Sequence, residues 1–297
     1  VREKPQMVEN ALLVGVFFNK ADTDEATSLL DELRDLVETL DIGIARTWLI
    51  KVRELYPSHL MGKGKMAEVI SKAKELGCDC IIFDNELSPR QQRNWEQEAN
   101  LLVIDRQEVI LDIFSMRAQT KEARLQVQLA RMQYALPRMA RMWGHLDRQG
   151  GGSGGGKGGA GAARGEGEKQ IEIDRRLANK RIEKLKDELS TVRKQRATQR
   201  KDRMRAPLPH AAIVGYTNAG KSSLLNKLTS SKVLAEDKLF ATLDTTTRKL
   251  EMEDGQTLLI TDTVGFVRRL PHGLIESFKA GITCLTPLLQ FCLLCSG

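Results

Sequence analysis

The 297-residue sequence has no long hydrophobic run, few aromatic side chains and little cysteine, and each scarcity removes a class of protein. A helix that crosses a bilayer needs about twenty consecutive apolar residues. The only strongly apolar stretch, near the C-terminal end, is shorter and is broken by Pro287, so a membrane span is not expected. Cys78 and Cys80 are the only cysteines before Cys284, Cys292 and Cys295, which argues against a disulfide framework and for a reducing compartment. No basic-then-apolar leader opens the chain, so the expected location is the cytoplasm. The four histidines, His59, His145, His210 and His272, are scattered and suggest no metal cluster. Trp48, Trp95 and Trp143 read as packing residues rather than base-stacking platforms.

Charge is abundant and unevenly placed. The net charge is +7, yet residues 1–116 carry 14 basic and 21 acidic side chains, residues 117–205 carry 23 and 10, and residues 206–297 carry 9 and 8. The middle segment therefore supplies the whole basic excess, the pattern of a polyanion-binding surface. Arg193, Lys194, Arg196, Arg200 and Lys201 are its candidate RNA-binding residues.

The first hundred residues alternate short apolar runs with amphipathic stretches, which implies parallel strands crossed by helices. Residues 11–18, 44–52, 80–84 and 101–105 read as strands, and residues 24–40, 65–76 and 89–100 as helices. Gly77 is the expected stop of one helix and Ser88 with Pro89 the start of another. Gly62-Lys63-Gly64-Lys65 reads as a basic helix start on a solvated face rather than as a second phosphate site.

From residue 110 to 134, Leu125, Leu129 and Met132 recur at helical steps, and from about 171 to 203 Ala178, Ile182, Leu185, Leu189 and Val192 do the same. An antiparallel helical hairpin is expected. Residues 150–167 between them hold eleven glycines. On composition they form a flexible tether, or a loop ordered against RNA phosphates with Arg148, Lys157 and Arg164 beside it.

Ala211 to Val214 form an apolar strand that leads into Gly215-Tyr216-Thr217-Asn218-Ala219-Gly220-Lys221-Ser222, followed by a helical stretch from Ser223. This is GxxxxGK[ST] in its strand, loop and helix context. The glycines let successive amides face a β-phosphate at the positive end of the following helix. Lys221 would supply charge to the β- and γ-phosphates, and the Ser222 hydroxyl would be a ligand of Mg²⁺. A second apolar strand ends in Asp262-Thr263-Val264-Gly265, where Asp262 would hold the metal through water and the Gly265 amide would face the γ-phosphate. The intervening Thr-rich segment, 240–248, reads as a switch. Thr242 is the expected metal ligand within it, with Thr245, Thr246 and Thr247 as competitors. Phe266 stands where many GTPases place the glutamine that orients water, so no catalytic residue is assigned and intrinsic hydrolysis is expected to be slow without a partner.

These blocks together resemble the HflX family of ribosome-associated GTPases. The resemblance rests on Gly62 to Lys65, Gln133 to Met139, the opening of the glycine-rich stretch, GEGEKQIEIDRR at 165–176, VGYTNAGKSSLLN, LFATLD and DTVGFVRRLP, and covers roughly residues 8–280. It implies an α/β fold in parts: an N-terminal parallel-sheet domain at 1–110, a basic helical hairpin at 111–205 with a Gly-rich loop at 149–168, and a P-loop GTPase domain at 206–280. It also implies GTP as substrate with Mg²⁺, and a monomer that binds the large ribosomal subunit and rRNA and promotes ribosome dissociation or rescue. Thr245 replaces the family's usual proline, and GEGEKQIEID departs mildly from GxGETQxExD.

No NKxD for guanine follows the P-loop; Asn19-Lys20-Ala21-Asp22 matches the letters but opens a helix two hundred residues earlier. Residues 281–297 depart from the family pattern, and the expectation is a truncated or frame-shifted product with an incomplete G domain. An ATP-using RNA-remodelling protein, or a non-catalytic RNA-binding fragment with a defective G domain, remain the alternatives.

Overall fold

The computed structural model describes residues 8–19, 22–138, 162–203, 208–229, 239–240, 246–252, 255–270 and 289–295. The chain divides into two units, Val1–Gln119 with Leu208–Gly297, and Thr120–Pro207.

In the first unit, strands β1 (Asn10–Phe17), β2 (Gly43–Lys51), β3 (Cys80–Phe83) and β4 (Leu102–Asp105) form a parallel sheet in the order β2-β1-β3-β4. Helices α1 (Thr23–Thr39), α2 (Lys63–Glu75), α3 (Pro89–Ala99) and α4 (Arg106–Arg117) make the crossovers and follow the last strand. Buried on both faces, β1 and β3 read as continuous apolar runs. The core gathers Leu12, Ile81, Phe83, Met61, Val69 and Trp95. Trp95 is fully buried, tilts against Phe83 at 4.8 Å and donates its indole N–H to the His59 carbonyl. Ser88 and Gln91 close a reciprocal capping box with Pro89 in the first turn. Asp105 caps α4 by accepting from the Glu108 amide and ties down the Leu87 amide with its second oxygen. Lys63 and Lys65 lie exposed in the first turn of α2, Lys65 paired with Glu68.

The same unit holds a second sheet in the order β6-β7-β5-β8, from β5 (His210–Gly215), β6 (Thr246–Glu251), β7 (Thr257–Asp262) and β8 (Leu289–Cys295). β5 pairs in parallel with β7 and β8, while β6 runs antiparallel to β7. The apolar stretch expected to be an atypical tail thus supplies a strand beside β5. Its continuous Leu-Gln-Phe-Cys-Leu-Leu-Cys composition suits such a position.

The second unit contains α5 (Lys121–Ala135) and, in α6 (Ala162–Arg203), a 42-residue helix. Leu125 and Leu129 pack against Ile182, Leu185 and Leu189, with Met132 and Val192 at the edges. Two expectations change here. The stretch from 110 to 134 is two helices, because the chain leaves helical geometry at Ala118 and restarts at Thr120, whose hydroxyl accepts from the Ala123 amide. α4 runs to Arg117 and lies in the first unit, whose N-terminal stretch reaches Gln119. α6 also begins at Ala162, inside the segment expected to be a loop up to 168. The long run of good helix formers after it outweighs Gly165 and Gly167.

Candidate functional site

At the C-terminal end of β5 the chain passes through a short loop into a helix. Gly215 ends the strand, and helix α7 (Lys221–Thr229) starts at Lys221. The turn between them places Asn218 and Gly220 in the left-handed region, at φ 60° and 73°; glycine meets that demand at no steric cost. The Ala219 amide donates to the Tyr216 carbonyl at 3.3 Å. Lys221 is buried, and its ammonium donates to the same Tyr216 carbonyl. The lysine is thereby folded back over the loop that its charge would serve. Ser223 is exposed on α7, while Leu225 anchors the helix against Ile213 and Ile260.

β7 lies next to β5 and delivers Asp262 to the start of α7. Ser222 Oγ donates to Asp262 Oδ2 at 2.6 Å, and Asp262 is fully buried. Two hard oxygen donors face each other at the mouth of the loop, a donor set that fits Mg²⁺ and suits soft metals poorly. Thr263 is also buried and donates to the Ile213 carbonyl at 2.7 Å, which fixes the start of the next segment to β5.

Gly265 then lies directly against the loop. A Cβ built there would stand 2.6 Å from Thr217 Cα and 2.8 Å from Lys221 Nζ, so this approach admits glycine alone. One residue on, Phe266 makes a parallel bridge with Tyr216: its amide donates to the Gly215 carbonyl and its carbonyl accepts from the Thr217 amide, both at 2.9 Å. The Phe266 ring is half exposed and offers no group to a water molecule.

The structure thus brings together Gly215, Tyr216, Thr217, Asn218, Ala219, Gly220, Lys221, Ser222, Asp262 and Gly265. Thr242 and Thr245 lie outside the described residues, as do Arg148, Lys157 and Trp143. Thr247 sits in β6, where its hydroxyl meets that of Thr261 at 2.8 Å. Asn19 and Asp22 bond to each other at the head of α1, as a helix opening does. Arg193 and Lys194 lie on α6, part-buried and exposed; the side chains of Arg196, Arg200 and Lys201 on the same helix are outside the described set. Among the described residues no cluster of histidine, cysteine and carboxylate forms a further metal site, and no helix is long and apolar enough to cross a membrane. Burial pushes the Cys78 and Cys80 thiols up, with Asp79 adding to the effect, so neither is a ready nucleophile. No motif in the sequence marks Glu32 and Asp84, which meet Arg268 and Arg269 just after Phe266, or Arg106, which pairs with both carboxylates.

A mostly parallel sheet, a glycine-rich turn into a helix, and a lysine, serine and aspartate converging there define a P-loop protein of the GTPase class. The sequence matches three family models in succession: "GTP-binding GTPase N-terminal" at residues 27–115, "GTP-binding GTPase Middle Region" at 117–203 and "50S ribosome-binding GTPase" at 210–292. It is 64% identical to the GTPase HflX of Akkermansia muciniphila over 280 residues, 94% of this chain and 64% of that protein. It is 41% identical to the GTPase HflX of Escherichia coli over 272 residues, 92% of this chain and 61% of that one. The chain belongs to the HflX GTPase family, and it spans somewhat under two thirds of the length of these relatives. Among solved structures, the complex of SsGBP with GDP shares the fold at a TM-score of 0.50 and 22% identity, with 97% of this chain and 71% of that chain covered.

Proposed function

We propose that this chain binds GTP with Mg²⁺ at the loop from Gly215 to Ser223 and hydrolyses it. We further propose that the basic hairpin carries it, as a cytoplasmic monomer, to the rRNA of the large ribosomal subunit, where it promotes dissociation or rescue. The observation that carries the nucleotide reading is the convergence of Lys221, the Ser222–Asp262 pair at 2.6 Å and Gly265 on one turn. Family membership and the match to a 50S ribosome-binding GTPase model support the ribosomal reading.

The amides of residues 217–222 and the positive end of α7 would orient the phosphates. Lys221 would leave the Tyr216 carbonyl for the β- and γ-oxygens. Ser222 and Asp262 would hold the Mg²⁺, which supplies charge neutralisation at the phosphates. Phe266 brings no hydrogen-bonding group to the attacking water, so turnover by the chain alone should be slow, and acceleration should come from a bound partner.

The test is displacement of a fluorescent GTP analogue from this chain by unlabelled GTP or ATP, with Mg²⁺ present. GTP should displace it and excess ATP should not. Equal displacement by ATP would favour the RNA-remodelling ATPase, and no Mg²⁺-dependent binding would favour the non-catalytic RNA-binding fragment. Lys221→Ala removes charge-assisted bonds worth about 1.5–3 kcal/mol, roughly ten- to a hundredfold in affinity. Unchanged affinity in that variant would place the nucleotide elsewhere.

A further inference from the structure

Beyond Phe266 the chain reaches the first sheet's helices, and there it meets a buried ionic cluster. Arg106, at the start of α4, is 1% exposed and bridges two carboxylates, with Nη2 2.8 Å from Glu32 Oε2 and Nη1 2.7 Å from Asp84 Oδ1. Its Nη1 also donates to the Leu29 carbonyl at 3.0 Å. The same two carboxylates receive the two arginines that follow the DxxG segment. Arg268 donates from Nε to Glu32 Oε2 at 2.9 Å and from its backbone amide to Glu32 Oε1 at 3.2 Å, and its Nη2 donates to the carbonyl and hydroxyl of Ser28 at 2.9 Å each. Arg269 donates from Nη1 to Asp84 Oδ2 at 2.8 Å. Three arginines thus share two carboxylates, and the buried arginine holds the carboxylates in place for the other two.

Arg269 is in the left-handed region at φ 56°, an arrangement that a non-glycine residue keeps only where its surroundings hold it. Phe240, which opens the Thr-rich segment, is also at φ 56° and packs edge-on against Phe114 of α4 at 4.6 Å. Phe240 and Arg269 are therefore both left-handed non-glycine residues at points where the chain touches the N-terminal elements.

Between Gly265 and Arg269 the chain is fixed at both ends. At one end the Phe266–Tyr216 bridge commits the Thr217 amide and brings Gly265 against Lys221; at the other the carboxylates hold Arg268 and Arg269. We infer that Glu32 and Asp84, backed by Arg106, are positioning residues for the nucleotide site that act through Arg268 and Arg269 to disfavour a triphosphate relative to a diphosphate. The Gly265 amide is the group that would face a γ-phosphate, and Gly265 lies here directly against Thr217 and Lys221, so a triphosphate would need the 265–269 segment to move, whereas a diphosphate would make no contact with Gly265. A ligand that needs 265–269 displaced must break the two pairs, so its affinity falls by the population of the displaced state. The inference rests on the nucleotide reading above.

The experiment measures the affinity of the full chain for Mg²⁺·GMPPNP and for Mg²⁺·GDP, together with amide hydrogen exchange over 215–223 and 262–270. Arg268→Gln and Arg269→Gln leave Arg106 with both its carboxylates and so preserve the buried pair. Each should raise the ratio of GMPPNP to GDP affinity about tenfold, within the usual range of coupling between sites, and loosen exchange at 266–269. Glu32→Gln should give the same shift, and Glu32→Gln with Arg268→Gln together no more than either alone. Arg268→Lys should restore part of the original ratio. A merely structural role would weaken both nucleotides equally, and an unchanged ratio in Arg268→Gln and Arg269→Gln would overturn the inference while leaving nucleotide binding intact. If neither nucleotide protects 215–223 in the unaltered chain, the nucleotide reading fails and this inference falls with it.

Discussion

Gly265 illustrates how much a single missing Cβ decides. Its neighbour at 2.6 Å is backbone, the Thr217 Cα, and backbone cannot swing aside as a side-chain end would. Gly265→Ala must therefore push the segment off the loop or distort the loop, at about 1–3 kcal/mol by the usual cost of overpacking. We expect a lower urea midpoint and faster amide exchange at Thr217 and Phe266; an unchanged midpoint with unchanged exchange would show that the segment yields freely. Gly265, Lys221, Ser222 and Asp262 were all legible in the sequence, because phosphate chemistry imposes fixed spacings within one strand-loop-helix unit. Glu32, Asp84 and Arg106 were not. Arg268 and Glu32 are 236 residues apart and Arg269 and Asp84 185, and an acid on an amphipathic helix looks like part of a solvated face until the fold closes over it.

Among the elements, the helical pair of the second unit tests how far periodicity reaches. Leu185 is 1% exposed within a cluster built from only five buried residues, so Leu185→Ala leaves a cavity that few neighbours can fill. A loss of about 2–5 kcal/mol is expected for that change. Leu177 on the same helix is 58% exposed, and its change to alanine should stay within about 0.5 kcal/mol. Urea unfolding followed by helical circular dichroism measures both, and similar losses would mean the seam is not where the heptad spacing puts it. That spacing was readable because a two-helix seam has a single apolar face. The break at Ala118 was not, since it contains neither glycine nor proline and depends on one hydroxyl, that of Thr120, capping the next helix. The start of α6 within a glycine-rich run was hidden for the opposite reason: composition argued for a loop, and the cooperative extension of a long helix overrode it. The four strands of the first sheet, each a short run of apolar residues between amphipathic helices, emerged within a residue or two of their expected limits.

Across the whole molecule, charge separates by segment: −7 over 1–116, +13 over 117–205 and +1 over 206–297. An acidic N-terminal part would be repelled by a polyanion, so association with RNA must be carried by the segment that holds the excess. If the five residues from Arg193 to Lys201 make phosphate contacts, each releases counterions on binding, and the salt dependence of affinity steepens by roughly 0.7–0.9 per contact. Replacing Arg193, Lys194, Arg196, Arg200 and Lys201 with glutamine should therefore lower affinity for the large ribosomal subunit at about 0.1 M salt and flatten the log–log slope. The slope is the more decisive quantity, because a misfolded helix would abolish binding without leaving a measurable gentler slope. Glutamine keeps helix propensity close to that of lysine and arginine, so circular dichroism of the variant should match the parent. Titrating labelled large subunits at several potassium chloride concentrations gives affinity and slope together. An unchanged slope with helical content preserved would assign the basic excess to solubility and move the RNA contact to another part of the chain.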